Sequence, residues 1–300
     1  MGIFESVYRF IRYPTCLPGG GGFCTDTQAS PSHLRVRATK KYRKYLKCRQ
    51  MKHLFEAQLD YDDAVTAQRA IEEDEKKGSR ELAVILSEYA TALWTNYEAV
   101  QRGNDSLLPQ IIRFWEETAT IWRRLRDEAR TSKKGEAEVE DEYVVVLVAL
   151  GDAYVADYEK GGDRGQLHKG ISMFEEVRGV RIRATSITSS RPTASMTTKA
   201  TSLRSSIMKT KSPTATATTC AMKATIGLAK AIRLCCEHDG NNSRLEQIIG
   251  YLEEWDDHVD GSGESEGDRQ SMREELDKAR ALLVELTPAA STDAHEATPR

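Results

Sequence analysis

Three stretches decide how this chain folds: "EYATALWTNYEAVQRGNDSLLPQIIRFWEE" from Glu88 to Glu117, "ALGDAYVADYEKGGDRGQLHKGISMFEE" from Ala149 to Glu176, and "IGLAKAIRLCCEHDGNNSRLEQIIGYLEE" from Ile226 to Glu254. They superimpose as sequences. Ala153, Glu159, Gly162, Leu167, Ile171 and Glu176 meet Ala231, Glu237, Gly240, Leu245, Ile249 and Glu254 at a constant displacement of 78 positions. Ala92, Tyr97, Glu98, Leu108, Ile112 and Trp115 meet Ala153, Tyr158, Glu159, Leu167, Ile171 and Phe174, with two extra residues in the first loop. Repetition at a fixed period points to a stacked solenoid, because one helix pair cannot bury its apolar face without neighbours.

The second stretch shows why each copy reads as two helices. Leu147, Leu150, Gly151, Tyr154 and Tyr158 recur at helical spacing and form one apolar stripe. Gly161 and Gly162 stop that helix, Asp163 caps the next, and Leu167, Gly170, Ile171, Phe174 and Val177 form the facing stripe. Gly240 to Ser243 supply the same stop and start in the third stretch. Upstream, a basic helix carrying Tyr42, Tyr45, Leu46 and Met51 is expected, then one carrying Ala64, Val65, Gln68 and Ile71. The expected fold is all-α, an α-solenoid of about four degenerate helix pairs. Its parts read as a flexible arm over 1–36, helical repeats over 37–178, a Ser/Thr/Lys/Arg-rich segment over 179–220, a repeat over 221–258, an acidic linker over 259–270, a capping helix over 271–287 and a disordered tail over 288–300. A displacement of 78 is twice a 39-residue period, so 179–220 reads either as a low-complexity basic insertion or as a repeat written out of frame.

Leu150, Gly151 and Tyr154, with Gly170, Phe174 and Val177, stand at the spacings of the tetratricopeptide repeat, which the chain resembles. "YDDAV" with Ala64 and Ile71 resembles that family's second helix, whereas Ile111 and Ile248 occupy its small position. The long loop with its Gly-Asp pair is similar to the divergent repeats of large fungal signalling proteins. The resemblance implies a scaffold or adaptor whose first helices line a concave surface for a partner peptide or helix. Asn96, Asp152 and Arg233 are the residues expected to face it.

Composition narrows the function classes. The longest uncharged apolar run, Tyr143 to Leu150, is far shorter than the roughly 20 residues of a spanning helix. Six cysteines without paired CxxC spacing argue against a zinc ribbon or a disulfide framework, and a reducing, cytoplasmic setting fits, with membrane-associated or nuclear placement as alternatives. Nine Lys and Arg lie between Arg35 and Lys52 with no acid among them, while Asp256 to Asp268 is acidic. "MGIFES" fits the pattern for myristoylation of Gly2, Cys16 and Cys24 are candidate palmitate acceptors, and the basic run would supply the second signal that stable membrane tethering needs. The same run, with Tyr42 and Tyr45 among its cations, reads mainly as a solvated helix face whose tyrosines pack inward, so nucleic acid is not the expected partner. A membrane-tethered adaptor, or a fragment of a larger signalling protein, is the second reading.

Asp256, Asp260 and Gly261 begin like a calcium loop, but His258 and Gly267 stand where oxygen ligands are required. No catalytic motif occurs, so neither an enzyme activity nor a cofactor or metal is expected. The pairs Glu175–Glu176 and Glu253–Glu254 diverge by about 100° around a helix, which suits a structural role rather than a paired-acid site. Cys235 and Cys236 read as buried thiols.

Overall fold

The computed structural model describes residues 30–72, 78–100, 106–132, 135–189, 213–240, 242–258 and 266–287. Among the described residues there are nine α-helices and no strand: α1 Pro31–Cys48, α2 Met51–Glu72, α3 Arg80–Ala99, α4 Leu107–Ser132, α5 Glu136–Gly161, α6 Arg164–Ser189, α7 Pro213–Asp239, α8 Ser243–His258 and α9 Glu266–Leu286. Each helix packs on the next in chain order, and α7 additionally touches α5 and α9. The result is four helix pairs closed by a ninth helix, an all-α helical-repeat solenoid. Odd-numbered helices form one layer and even-numbered helices the other.

Local chemistry sets the helix ends. Gly162 and Gly240 follow α5 and α7 in the left-handed conformation, at φ 68° and 65°, where a side chain would be strained. Asp163 accepts the Gly165 N–H at 2.8 Å at the head of α6, and Ser79 accepts the Leu82 N–H at 3.1 Å at the head of α3. Stripes of buried Leu, Ile, Val, Ala and aromatic side chains then meet in one continuous core.

Several boundaries differ from the expectation. The stretch read as an arm over 1–36 turns helical at Pro31, because Ser30 accepts the His33 N–H at 3.3 Å and proline suits a helix start. The segment read as an insertion over 179–220 is helical at both ends, with α6 reaching Ser189 and α7 beginning at Pro213. No proline interrupts the first of these ends before Pro192, so helical turns propagate past the last apolar position. The linker expected over 259–270 gives way to α9 at Glu266, where Glu266 and Asp268 complement the positive end of the helix. Leu46 and Ile71, expected on inward stripes, are 44% and 63% exposed. The inward positions nearby are filled instead by Tyr45, Val65 and Gln68. Gly2, Cys16 and Cys24 lie outside the described residues, as do 190–212 and the tail over 288–300.

Among the described residues, α7 packs directly on α5 and α6. Phe174 of α6 is fully buried, and its ring is held between two glycines of successive helix pairs. A Cβ at Gly151 of α5 would come within 2.6 Å of it, and a Cβ at Gly227 of α7 would also strike the ring. Such contact requires α7 to sit directly on the α5–α6 pair. Gly170 lets the same pair close up, since a Cβ there would be 3.2 Å from the Gly151 carbonyl. Burying a phenylalanine of this kind contributes about 1.5–3 kcal/mol.

Candidate functional site

Polar contacts stitch each odd-numbered helix to the next. The Tyr42 hydroxyl of α1 lies 2.8 Å from the Thr95 hydroxyl of α3, and Arg35 donates two hydrogen bonds to the Glu88 carboxylate of α3 at 2.8 and 3.1 Å. Lys160 of α5 sits 5.0 Å over the Tyr97 ring of α3. Lys230 of α7 pairs with Glu159 of α5 at 2.6 Å, and Arg233 of α7 binds Glu275 of α9. The layer is therefore a continuous surface, and the charges that remain open on it are the candidate site.

Asp152 of α5 is the centre of that surface. Crowding by surrounding protein pushes its carboxyl up from the ordinary 3.8 to about 7, with Lys230 and Lys223 of α7 pulling it back and Glu98 of α3 adding to the rise. Its side chain is nonetheless open to water, so hydration offsets part of that rise while its upward direction stands. Asp152 is thus an exposed carboxyl on the odd-numbered helices with charged neighbours on both sides. Helices α3, α5 and α7 each contribute a charge to this surface.

The other two residues expected on the binding surface are placed elsewhere. Asn96 is 5% exposed, and its amide donates to the Gln58 carbonyl of α2 at 3.4 Å, so it joins the two layers and is closed to a partner. Its position falls on the inward stripe of α3 beside Leu93 and Tyr97, which are also buried. Arg233 is half-buried, with its guanidinium engaged by Glu237 and Glu275, so it anchors α9 to α7. Glu98, Lys223 and Lys230, the last of them paired with Glu159, are the charges around Asp152 that inspection of single helices misses. The repeat alignment itself carries the signal for one of them, because the constant displacement of 78 puts Lys230 at the position of Asp152. Stacking then brings equivalent positions of neighbouring helix pairs side by side.

The repeated acids are engaged in structure. Glu176 accepts the Tyr143 hydroxyl at 2.6 Å and the Arg123 guanidinium at 3.3 Å, while its neighbour Glu175 pairs with Arg244 at 2.7 Å. Glu253 pairs with Arg280 at 2.7 Å. A cleft of about 160 Å³ lies among His168, Ile232, Cys235, Cys236, Asp239 and Arg244. Burial raises both thiol pKa values, and for Cys235 a hydrogen bond to Asp239 raises it further. Both are held as thiols rather than nucleophilic thiolates. Among the described residues no cluster of three or more His, Cys, Asp or Glu could hold a metal ion, and no described helix is long and apolar enough to cross a membrane.

No protein-family model matches the chain, and no curated protein matches it. Among solved structures it is similar to a de novo designed helical repeat protein, DHR64, at 18% identity and a TM-score of 0.37, covering 85% of this chain and 95% of that one. It is also similar to the DHF58 filament, at 14% identity and a TM-score of 0.39 over 85% and 93% of the two chains. The DHF38 filament gives 15% identity and a TM-score of 0.35 over 87% and 97%.

Proposed function

We propose that this chain is a non-enzymatic protein-interaction scaffold of tetratricopeptide-like repeats that receives a peptide or helix of a partner along its odd-numbered helices. One observation carries the reading: Asp152 is a water-accessible carboxyl on the surface of the odd-numbered helices, beside Glu98 of α3 and Lys223 and Lys230 of α7, with its pKa raised by the protein around it. A Lys or Arg of a partner placed against Asp152 would favour its charged form and relieve the cost of ionising it there. Lys223, exposed on the same surface, suits an acid on the same partner. The family reading is supported by the close approaches at Gly151 and Gly170, which stand at the tetratricopeptide spacings and leave room for Phe174 and for the neighbouring backbone. The non-enzymatic reading is supported by the commitment of the repeated acids to ion pairs and hydrogen bonds and by the raised pKa values of Cys235 and Cys236.

The test is site-directed photo-cross-linking in cells, with the photoreactive residue placed at position 152 in one sample and at position 120, exposed on α4 of the other layer, in a second. The expected result is a discrete adduct at 152 whose peptide carries a basic residue, with no equivalent at 120. Equal adducts at both positions, or adducts at 120 alone, would overturn the assignment of this surface.

A further inference from the structure

The two terminal helices of the described stack carry opposite charges on the faces they turn away from it. In α1, Val36, Lys40, Arg43, Lys44 and Lys47 fall within one 100° sector by helical geometry. All five side chains are exposed, Val36 by 66%. The cations on the flanks of this helix are consumed internally: Arg35 by Glu88 and Glu81, Arg37 and Lys41 by the fully buried Asp60. Lys40, Arg43, Lys44 and Lys47 meet no carboxylate among the described residues.

Helix α9 is the complement. Glu266, Glu274, Asp277 and Glu285 recur along its outer stripe together with Val284, which is 77% exposed. Here the flanking cations are the ones consumed, Arg273 by Asp256, Lys278 by Glu275 and Arg280 by Glu253. None of the four outer carboxylates meets a cation among the described residues, and Glu274 holds only the Gln270 amide at 3.0 Å. Four open cations and an exposed valine thus face outward from one terminal helix, and four open carboxylates and an exposed valine from the other.

We propose that copies of this chain associate head to tail, the outer stripe of α9 in one copy docking on the outer stripe of α1 in the next. The two surfaces differ, so the contact is heterologous and propagates into open chains rather than closing as a symmetric dimer. A second copy is favoured over nucleic acid because the aromatics of the basic run are turned inward, Tyr45 buried and Tyr42 bound to Thr95, leaving that run no ring on which a base could stack. The contact is independent of the surface around Asp152. Two single-helix stripes fall short of the roughly 1,200–2,000 Å² of a stable interface. An exposed ion pair contributes a factor of about 1.4 to 5 in an equilibrium constant, four together roughly 4- to 600-fold, so association is weak, driven by concentration and sensitive to salt.

Sedimentation equilibrium on the full chain tests this. The expected result is a weight-average mass that climbs with concentration at low salt and returns to that of one chain in about 1 M salt, where the screening length is about 3 Å. One variant carries Lys40, Arg43, Lys44 and Lys47 changed to Glu, and a second carries Glu266, Glu274, Asp277 and Glu285 changed to Lys. Each alone should stay monomeric while retaining its helical circular dichroism, and an equimolar mixture should assemble, because each then supplies the charge the other lacks. A wild type that remains monomeric at low salt and high concentration would overturn the proposal. So would assembly that survives both reversals. Monomeric wild type that instead binds phosphatidylserine vesicles, with loss of binding in the first variant, would also overturn it and assign the α1 stripe to an anionic membrane.

Discussion

Replacing Gly227 by alanine should destabilise this protein, although the same substitution at Gly250 should stabilise it. Both glycines lie inside helices, where alanine is intrinsically better by about 0.8–1.0 kcal/mol. At Gly250 of α8 an added Cβ meets nothing within 4 Å, so the gain is realised in full. At Gly227 the added carbon would lie 2.6 Å from one Phe174 ring carbon, 3.0 Å from another and closer still to a third, whereas carbons pack at about 3.5–4.0 Å. The ring therefore has to retreat by about 1 Å. Its other side is occupied by Gly151, where a Cβ would stand only 2.6–3.1 Å from the ring atoms, so the displacement passes into the α5–α6 backbones. Overpacking of this kind costs about 1–3 kcal/mol. Against the propensity gain, Gly227→Ala should lose up to about 2 kcal/mol net, and the two variants should differ by the overpacking cost of about 1–3 kcal/mol. Equilibrium urea unfolding followed by circular dichroism reads both. Adding Phe174→Leu to Gly227→Ala should recover at least about 1 kcal/mol relative to additivity, because the two changes share one contact. If Gly227→Ala raises the midpoint as much as Gly250→Ala does, Phe174 is not lodged between those two glycines and α7 does not rest on α5 and α6.

Two further outcomes follow from one buried and one exposed carboxyl. Burial alone would raise the Asp60 carboxyl, but hydrogen bonds from Arg37 and Lys41 hold it below the ordinary 3.8. A depressed carboxylate adds stability that is present above its unfolded value and lost as pH falls through its folded one. Exchange protection of α1 amides should therefore drop below about pH 4, and Asp60→Asn, at a cost of about 1–3 kcal/mol at pH 7, should abolish that pH step; an unchanged step would assign it to other carboxylates. Asp152 has the opposite sign, because a raised carboxyl penalises the folded state once pH exceeds its unfolded value, and the penalty levels off above about 7. Asp152→Asn should raise the urea midpoint at pH 8 and leave it unchanged at pH 3, and equal effects at both pH values would refute this placement of Asp152.

Where the fold was legible, the reason was local. The Gly161–Gly162–Asp163 punctuation and the Leu167, Ile171, Phe174 spacing predicted the α5–α6 turn, and the structure realises it through a left-handed Gly162 and the Asp163 cap. Stacking order was not legible, because α7 rests on α6 through the Phe174 contact across undescribed residues 190–212, and no local spacing encodes such a contact. Ile111 and Ile248, which break the small-residue position of the family pattern, are fully buried, so the core accommodates them. Of the three residues expected on the binding surface, Asp152 is exposed there while Asn96 and Arg233 turn to protein, because a polar residue on an odd helix has three destinations: the open surface, the interface between layers, or the next odd helix. Gln58 claims Asn96 and Glu275 claims Arg233, and both partners are remote in sequence.

Placement of α7 directly beside α5 both continues the solenoid and brings Lys223 and Lys230 to Asp152. Zero-length carbodiimide cross-linking followed by peptide mass spectrometry tests it directly, because the reagent joins a lysine to a carboxylate only where the two already touch. Lys230 and Glu159 are 2.6 Å apart, so a peptide joining α5 to α7 through these two residues is predicted. If Lys230 is recovered only unlinked, or only with acids of α8 and α9, while other close pairs such as Lys41 and Asp60 are joined, the stack and the surface it forms would both be contradicted.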